Sequence, residues 1–140
     1  MKGFRYAILL IAGFCLGWGA QSGAGIAMRK STNSRLISES EIALKVARAG
    51  VASFKAREKR FPRGVAELFS HADLDPADPP AESWHRGARW ASTWDGEGGF
   101  LYLSATGQVY LNADVSREKF FRADWKRVLD GDLFPKGKIF

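Results

Sequence analysis

A charge-free stretch near the N-terminus constrains this chain more than any other feature. Two basic residues, Lys2 and Arg5, precede it, and no Asp, Glu, Lys or Arg occurs from Tyr6 to Met28. A run of this length and apolar character is typical of a targeting signal or of a segment held among lipid tails. We therefore predict that residues 1–30 form an N-terminal membrane segment with a short leader.

Two explanations of this segment stay open. A cleaved secretory signal has a basic start, a short apolar run and small residues at its exit, which Ala20-Gln21-Ser22 would supply. A membrane span needs about 20 mostly apolar residues, and the stretch from Phe4 to Met28 reaches that length only with its glycine-rich end. Both explanations carry the remainder of the chain across a membrane, because the first positive charges usually stay inside.

Net charge and cysteine content limit which partners and which disulfide bonds are expected. The formal net charge is +6, yet neither basic cluster, Arg29–Arg35 or Lys55–Arg60, lies in a nucleic-acid recognition motif. We expect solvated or membrane-facing basic surfaces and no nucleic-acid partner. The sole cysteine, Cys15, excludes an intramolecular disulfide. Phe14 before it argues against a lipidated cysteine, so a buried apolar role is expected.

Helical periodicity follows the membrane segment. We predict an amphipathic helix over 31–62. Ser38 and Glu41 have the spacing of a capping box, the helical pattern runs from there to Arg60, and Pro62 is a helix stop. Apolar and small residues recur at intervals of three and four and form one stripe. The stripe comprises Ala43, Val46, Ala47, Gly50 and Phe54.

Residues 63–140 read as a small globular domain. The runs Phe100–Leu103 and Gln108–Leu111, joined by Ser104–Gly107, predict an antiparallel hairpin. Before them, Ser83–Trp94 predicts an extended strand and Asp95–Gly99 a turn.

Two further helices are expected in this domain. A short one covers Val65–Phe69. A longer one follows Ser116 and runs through Asp130, with Gly131 as its C-terminal stop. The apolar stripe of the longer helix comprises Phe121, Trp125, Val128 and Leu129. The predicted fold class is α+β: a long N-terminal helix whose first part spans the membrane, then a small domain with an antiparallel hairpin or sheet and a C-terminal helix.

Three motifs in this order resemble type IV pilin-like proteins, including the pseudopilins of type II secretion. Lys2-Gly3-Phe4 before the apolar run resembles a prepilin leader. The alanine-rich helix ending in Phe61-Pro62 resembles the pseudopilin helix and its exit. Gly98-Gly99-Phe100 and Thr106-Gly107-Gln108-Val109 through Asn112 resemble the Gly-Gly-aromatic and Thr-Gly hairpin of that group. The resemblance reaches Asn112, and the last 28 residues have no counterpart.

The resemblance implies a structural subunit of a type II secretion or type IV pilus-type filament. Gly3 and Phe4 would be the processing site, cut and methylated by a prepilin peptidase, and the stripe Ala43, Val46, Ala47, Gly50 and Phe54 would pack filament helices. Its partners would be other pilin-like subunits, an inner-membrane assembly platform and membrane lipid. The chain would cross the inner membrane once, with its C-terminal domain in the periplasm. Ile8 stands where most members have glutamate, as in tip-type minor members.

Other function classes have less support in the residues. A secreted or signal-anchored periplasmic binding or accessory domain is the alternative. An enzyme is not expected, since no nucleophile elbow or similar constellation occurs, and we predict no catalytic residue. His71 lies near Asp73, Asp75 and Asp78, but this spacing matches no zinc or EF-hand motif, so no metal or cofactor is expected. The aromatic cluster Trp84–Trp94, with Arg86 and Arg89 interleaved, is more typical of a core than of a stacking site for ligands.

Overall fold

The computed structural model of the protein describes residues 32–138. The charge-free stretch and the predicted processing residues Gly3 and Phe4 lie outside them. The elements are α1 (residues 32–58), α2 (Val65–Ser70), β1 (Trp90–Ala91), β2 (Glu97–Leu103), β3 (Gln108–Ala113) and α3 (Arg122–Asp130). This order confirms the α+β class, with a helix, a small mixed sheet and a C-terminal helix.

Helix α1 buries one face along its whole described length. The buried positions recur at alternating intervals of four and three, which keeps them on one side of an α-helix. They are Asn33, Ile37, Ser40, Leu44, Ala47, Val51 and Phe54. The two polar members at the N-terminal end are satisfied by partners in distant loops, because Asn33 Nδ2 donates to Glu118 and Ser40 Oγ accepts from the Ser83 N–H.

The capping-box spacing at Ser38 does not mark the N-terminus of the helix. Helix α1 already includes residue 32, and Ser38 lies inside it, where its Oγ donates to the Ser34 carbonyl at 3.1 Å. A serine bonded to the carbonyl four residues earlier is the pattern of a mid-helix serine, not of an N-cap. The Ser-x-x-Glu spacing is local, whereas the helix extends further because its buried face continues to Asn33.

The end of α1 is secured by polar contacts around α2. Helix α2 starts where the sequence predicted and ends one residue later. Glu67 accepts from both terminal nitrogens of Arg60 and, at 2.9 Å, from the Arg63 N–H. The Arg60 hydrogen bonds, followed by that from Arg63, lower the pKa of Glu67 to about 2. Tyr102 donates its hydroxyl to the Pro62 carbonyl at 2.6 Å and so ties the connection to the sheet.

The sheet is built on the predicted hairpin, which the structure confirms. Strands β2 and β3 pair antiparallel, with Phe100 opposite Leu111 and Tyr102 opposite Val109. The register is irregular between Glu97 and Phe100. The predicted turn at Asp95–Gly99 therefore belongs partly to β2.

Strand β1 is much shorter than the strand predicted over Ser83–Trp94. Only Trp90 and Ala91 pair with β2, in parallel. Residues 83–86 instead form a turn closed by the bridge between Glu82 and Gly87. The Trp- and Arg-rich composition of this segment suggested a strand, but the chain reverses here around the buried side chain of Glu82.

Helix α3 is shorter than predicted. It begins at Arg122 instead of directly after Ser116, and the preceding residues form a turn and extended chain. Val128 is buried and Trp125 is partly buried, while Phe121 is 44% exposed and Leu129 48% exposed. Gly131 follows the helix as expected, although its φ of −83° is not left-handed.

One hydrophobic cluster joins all the described elements except the two-residue strand β1, whose Trp90 packs against its edge. It includes Leu44 and Phe54 of α1, Phe100 and Leu111 of the hairpin, Val128 of α3 and the C-terminal Leu133 and Phe134. Helix α1, which lies within the predicted helix 31–62, supplies part of the core of the domain predicted over 63–140. No helix among residues 32–138 combines the length and the apolar character needed to cross a bilayer.

Candidate assembly surface

The solvent-facing side of α1 carries exposed apolar residues opposite its buried face. Ile42 is 62% exposed and Val46, one turn later, is 48% exposed. Ala49 and Ala52 continue along the exposed side of the helix. We call Ile42, Val46 and Ala49 the outer stripe. Its chemistry suits contact with another apolar surface and offers nothing for catalysis.

Charged pairs flank the outer stripe. Arg35 and Glu39 form an ion pair at 3.6 Å one turn before it, and Lys45 pairs with Glu41 at 3.5 Å beside it. Both are i,i+4 pairs at the surface of the helix, and such pairs contribute little to stability. The outer stripe therefore has a polar margin, as contact surfaces do.

Three of the five residues predicted to pack filament helices are already buried within the protein. Ala47 and Phe54 lie in the hydrophobic core. A Cβ atom on Gly50 would lie 2.6 Å from Cδ2 of Leu74, so the absence of a side chain at Gly50 leaves room for Leu74 of the same protein. Ala43 is partly buried against the core, and Val46 is exposed.

The stripe predicted to pack filament helices thus contains residues from two different faces of α1. Its buried members hold the domain together, and Val46 alone points fully outward. Sequence analysis missed Ile42, although its position four residues before Val46 was a usable signal. A role of these residues in a filament stays a prediction.

The C-terminal segment lies along one flank of α1 and leaves the outer stripe open. Asn33 Nδ2 donates to Glu118 Oε2 at 3.0 Å and to the Lys119 carbonyl at 3.1 Å. Ser34 donates to Asp124 at 2.5 Å, and Arg127 donates to Glu41. The Arg127 hydrogen bond lowers the pKa of Glu41. Together these contacts fix α3 beside the N-terminal half of α1.

The tryptophan cluster is part of the core and its margin. Trp84 packs edge-on against Phe120, and Trp90 lies 5.2 Å, centroid to centroid, from Phe100. Arg89 stacks on neither ring but pairs with Asp95 at 2.5 Å, which holds the pKa of that carboxyl well below its usual range. The described contacts agree with the core explanation of this cluster.

The side chain of Glu82 is a buried carboxylate that the sequence did not indicate. The residue is 0% exposed. Its oxygens accept the backbone N–H groups of Trp84 at 2.8 Å and His85 at 2.9 Å, and that of Gly99 at 3.4 Å. The His85 Nδ1 lies 3.1 Å from the same carboxylate. A carboxylate can replace lost hydration only when several donors converge on it. Glu82 therefore organises the 82–87 turn against β2.

Asp73 and His71, which lie close together in the sequence, both have structural contacts in the protein. Arg57 binds Asp73 through two hydrogen bonds, at 2.9 and 2.7 Å, and these lower the pKa of Asp73. His71 packs edge-on against Phe54. Across residues 32–138, no three His, Cys, Asp or Glu side chains are grouped so that they could hold a metal ion.

Comparisons with known proteins add no relative. No protein-family model, no curated protein and no solved structure matches this chain. Membership of the pilin-like group therefore stays a proposal, supported by the motifs and by the surface of α1.

Proposed function

We propose that this protein is a pilin-like, pseudopilin-type structural subunit of a type II secretion or type IV pilus-type filament, assembling through its N-terminal helix. The outer stripe of α1 is the observation that carries the proposal. A helix that only covers its own core gains nothing from an exposed Ile42 and Val46. Burying such a side chain fully contributes about 1.5–3 kcal/mol, so a second helix seated here is stabilised.

The order of the elements supports the same function. Helix α1 is preceded in sequence by the charge-free stretch Tyr6–Met28, and it is followed by a hairpin that carries the Gly98-Gly99 motif. Apolar N-terminal helices would gather in the filament centre, and the sheet and α3 would face outward. The partners in this arrangement are other subunits, an assembly platform and lipid.

Intact-mass spectrometry of the purified full chain tests the proposal. We expect loss of Met1–Gly3 only and a methyl group on Phe4, together with recovery of the protein in the inner-membrane fraction. A Gly3→Leu variant is the control, because a bulky residue at the cut should leave the leader attached. A methylated Phe4 in that variant, or an intact N-terminus in the parent chain, would contradict the processing.

The alternative is an exported or signal-anchored periplasmic domain. Its support is that the core face of α1 is fully used within residues 32–138, which gives a self-contained domain. The same mass measurement distinguishes the two functions. A mature chain that starts near residue 23 indicates signal-peptide removal and a domain with no filament helix.

Charge on the outer stripe is expected to abolish assembly without unfolding the domain. In Ile42→Asp/Val46→Asp, two exposed positions become carboxylates that would be costly to desolvate in a helix interface. In membranes, we expect chemical crosslinking between copies, measured without disulfides, to fall at least tenfold. A factor of ten corresponds to about 1.4 kcal/mol. Leu129→Asp is the matched control, because Leu129 has the same 48% exposure as Val46. Equal losses in both variants would remove the outer stripe as the docking face.

A further inference from the structure

The segment that leads into α3 exposes basic and aromatic side chains together. Its sequence, Arg117-Glu-Lys-Phe-Phe-Arg122, contains three basic residues and one acidic residue. Arg117, Lys119 and Arg122 are exposed, and Phe121 is 44% exposed. Exposed basic residues beside an exposed ring are the composition of surfaces that meet lipid headgroups. We call residues 117–122 the basic loop.

The contacts of Asn33 place the basic loop at the N-terminal end of the described helix. Its side chain binds both Glu118 and the Lys119 carbonyl. Asn33 follows Met28, the last residue of the charge-free stretch, by five positions. Five residues span at most about 18 Å even when fully extended. The basic loop therefore stays close to the point where that stretch ends, whatever path the intervening chain takes.

The charges of the basic loop are available to a partner. Among residues 32–138, neither Lys119 nor Arg122 forms an ion pair. The acidic member, Glu118, accepts the amide of Asn33 and is partly buried. The loop thus presents positive charge outward and holds its negative charge against α1.

The second basic cluster of the chain differs in both respects. Arg57 and Arg60 are paired with Asp73 and Glu67, so much of its charge is neutralised. It also lies at the opposite end of α1, where the hairpin turn approaches Phe61 so closely that a Cβ on Gly107 would be 2.1 Å from that ring. Compared with the Lys55–Arg60 cluster, the basic loop lies nearer the charge-free stretch and carries Lys119 and Arg122, cations that are unpaired within the described part of the chain.

We propose that the basic loop binds anionic lipid headgroups at the membrane surface, an inference that rests on the proposed membrane insertion of the N-terminal segment. Lys119 and Arg122 attract the phosphates, and Phe121 inserts at the headgroup level. Because Asn33 connects the loop to α1 and Ser34 connects α1 to Asp124 of α3, this contact sets the tilt of the whole domain relative to the bilayer before assembly.

Spin-label accessibility in reconstituted vesicles tests this contact. The full chain, with Cys15→Ala, carries one label at Ala123→Cys beside the basic loop or, as control, at Ala105→Cys in the distant hairpin turn; both positions are exposed. Accessibility to oxygen and to a soluble nickel chelate is compared in phosphatidylcholine vesicles with and without phosphatidylglycerol, and flotation reports membrane insertion.

We expect a several-fold rise in the oxygen-to-nickel ratio at residue 123 in phosphatidylglycerol vesicles, no rise at residue 105, and loss of the effect in Lys119→Ser/Arg122→Ser. A chain that floats but whose residue 123 stays as aqueous as residue 105 overturns the lipid contact and leaves membrane insertion intact. A chain that does not float overturns both. A rise that depends on protein concentration, or that persists in the double variant, assigns the contact to another surface and overturns the proposal.

Discussion

Gly99→Ala is expected to lower the free energy of unfolding by more than about 4 kcal/mol, enough to unfold a domain of ordinary stability. Gly99 has φ +80°, and a Cβ there would lie 2.0 Å from the Arg89 carbonyl oxygen. That oxygen accepts the Phe100 N–H at 2.7 Å, a bond that pairs β1 with β2. Neither backbone segment can retreat without breaking this pairing.

Gly137→Ala is the matched control for this experiment. Gly137 has φ +78°, nearly the same as Gly99, but nothing lies within 4 Å of the position of its Cβ. Its substitution should cost only the left-handed conformation, about 1–2 kcal/mol. Urea unfolding followed by circular dichroism measures both variants. Similar losses would show that backbone conformation, and not the clash with Arg89, makes Gly99 necessary.

Glu82→Ala is expected to cost about 3–5 kcal/mol, because several backbone donors lose one buried acceptor at once. An unsatisfied buried donor costs about 1–3 kcal/mol; the part-buried N–H groups of Trp84 and His85 would lose their acceptor together with the buried N–H of Gly99. The stability of Glu82→Gln should fall between those of Glu82→Ala and the parent chain. An amide still offers one acceptor oxygen, but its NH2 group turns two donors toward backbone N–H groups.

Glu97→Ala serves as the control for Glu82. Its side chain is 77% exposed and lies 3.7 Å from Arg89, so its loss should change the free energy of unfolding by no more than about 1 kcal/mol. Urea midpoints at neutral pH compare the three variants with the parent chain. A Glu82→Ala protein as stable as Glu97→Ala would mean that water satisfies the 82–87 turn without the carboxylate.

The features that sequence analysis predicted correctly are those with short-range causes. Alternation of side chains and the Gly107 turn define the hairpin from within about a dozen residues. The end of α3 likewise follows from a signal next to it, Gly131. The α+β class follows from the order of such segments.

The features that were wrong or missed depend on residues far apart in the chain. Asn33 belongs to the buried face of α1 only because Glu118 and Lys119 lie against it. Helix α3 starts late because the chain before it contacts α1 instead of continuing the helix. Nothing near Glu82 in the sequence indicates that the N–H of Gly99, seventeen residues away, converges on its carboxylate.

The sequence by itself determined that an apolar stretch precedes a small α+β unit with one hairpin, because periodicity and turn residues act over a few positions. Tertiary structure alone decided which face of α1 is core and which, with Ile42 and Val46, is left open. The physical reason is that the buried face of a helix is defined only when the sheet and the C-terminal segment pack against it. Burial, and not sequence spacing, then distinguishes the core residue Ala47 from the exposed Val46.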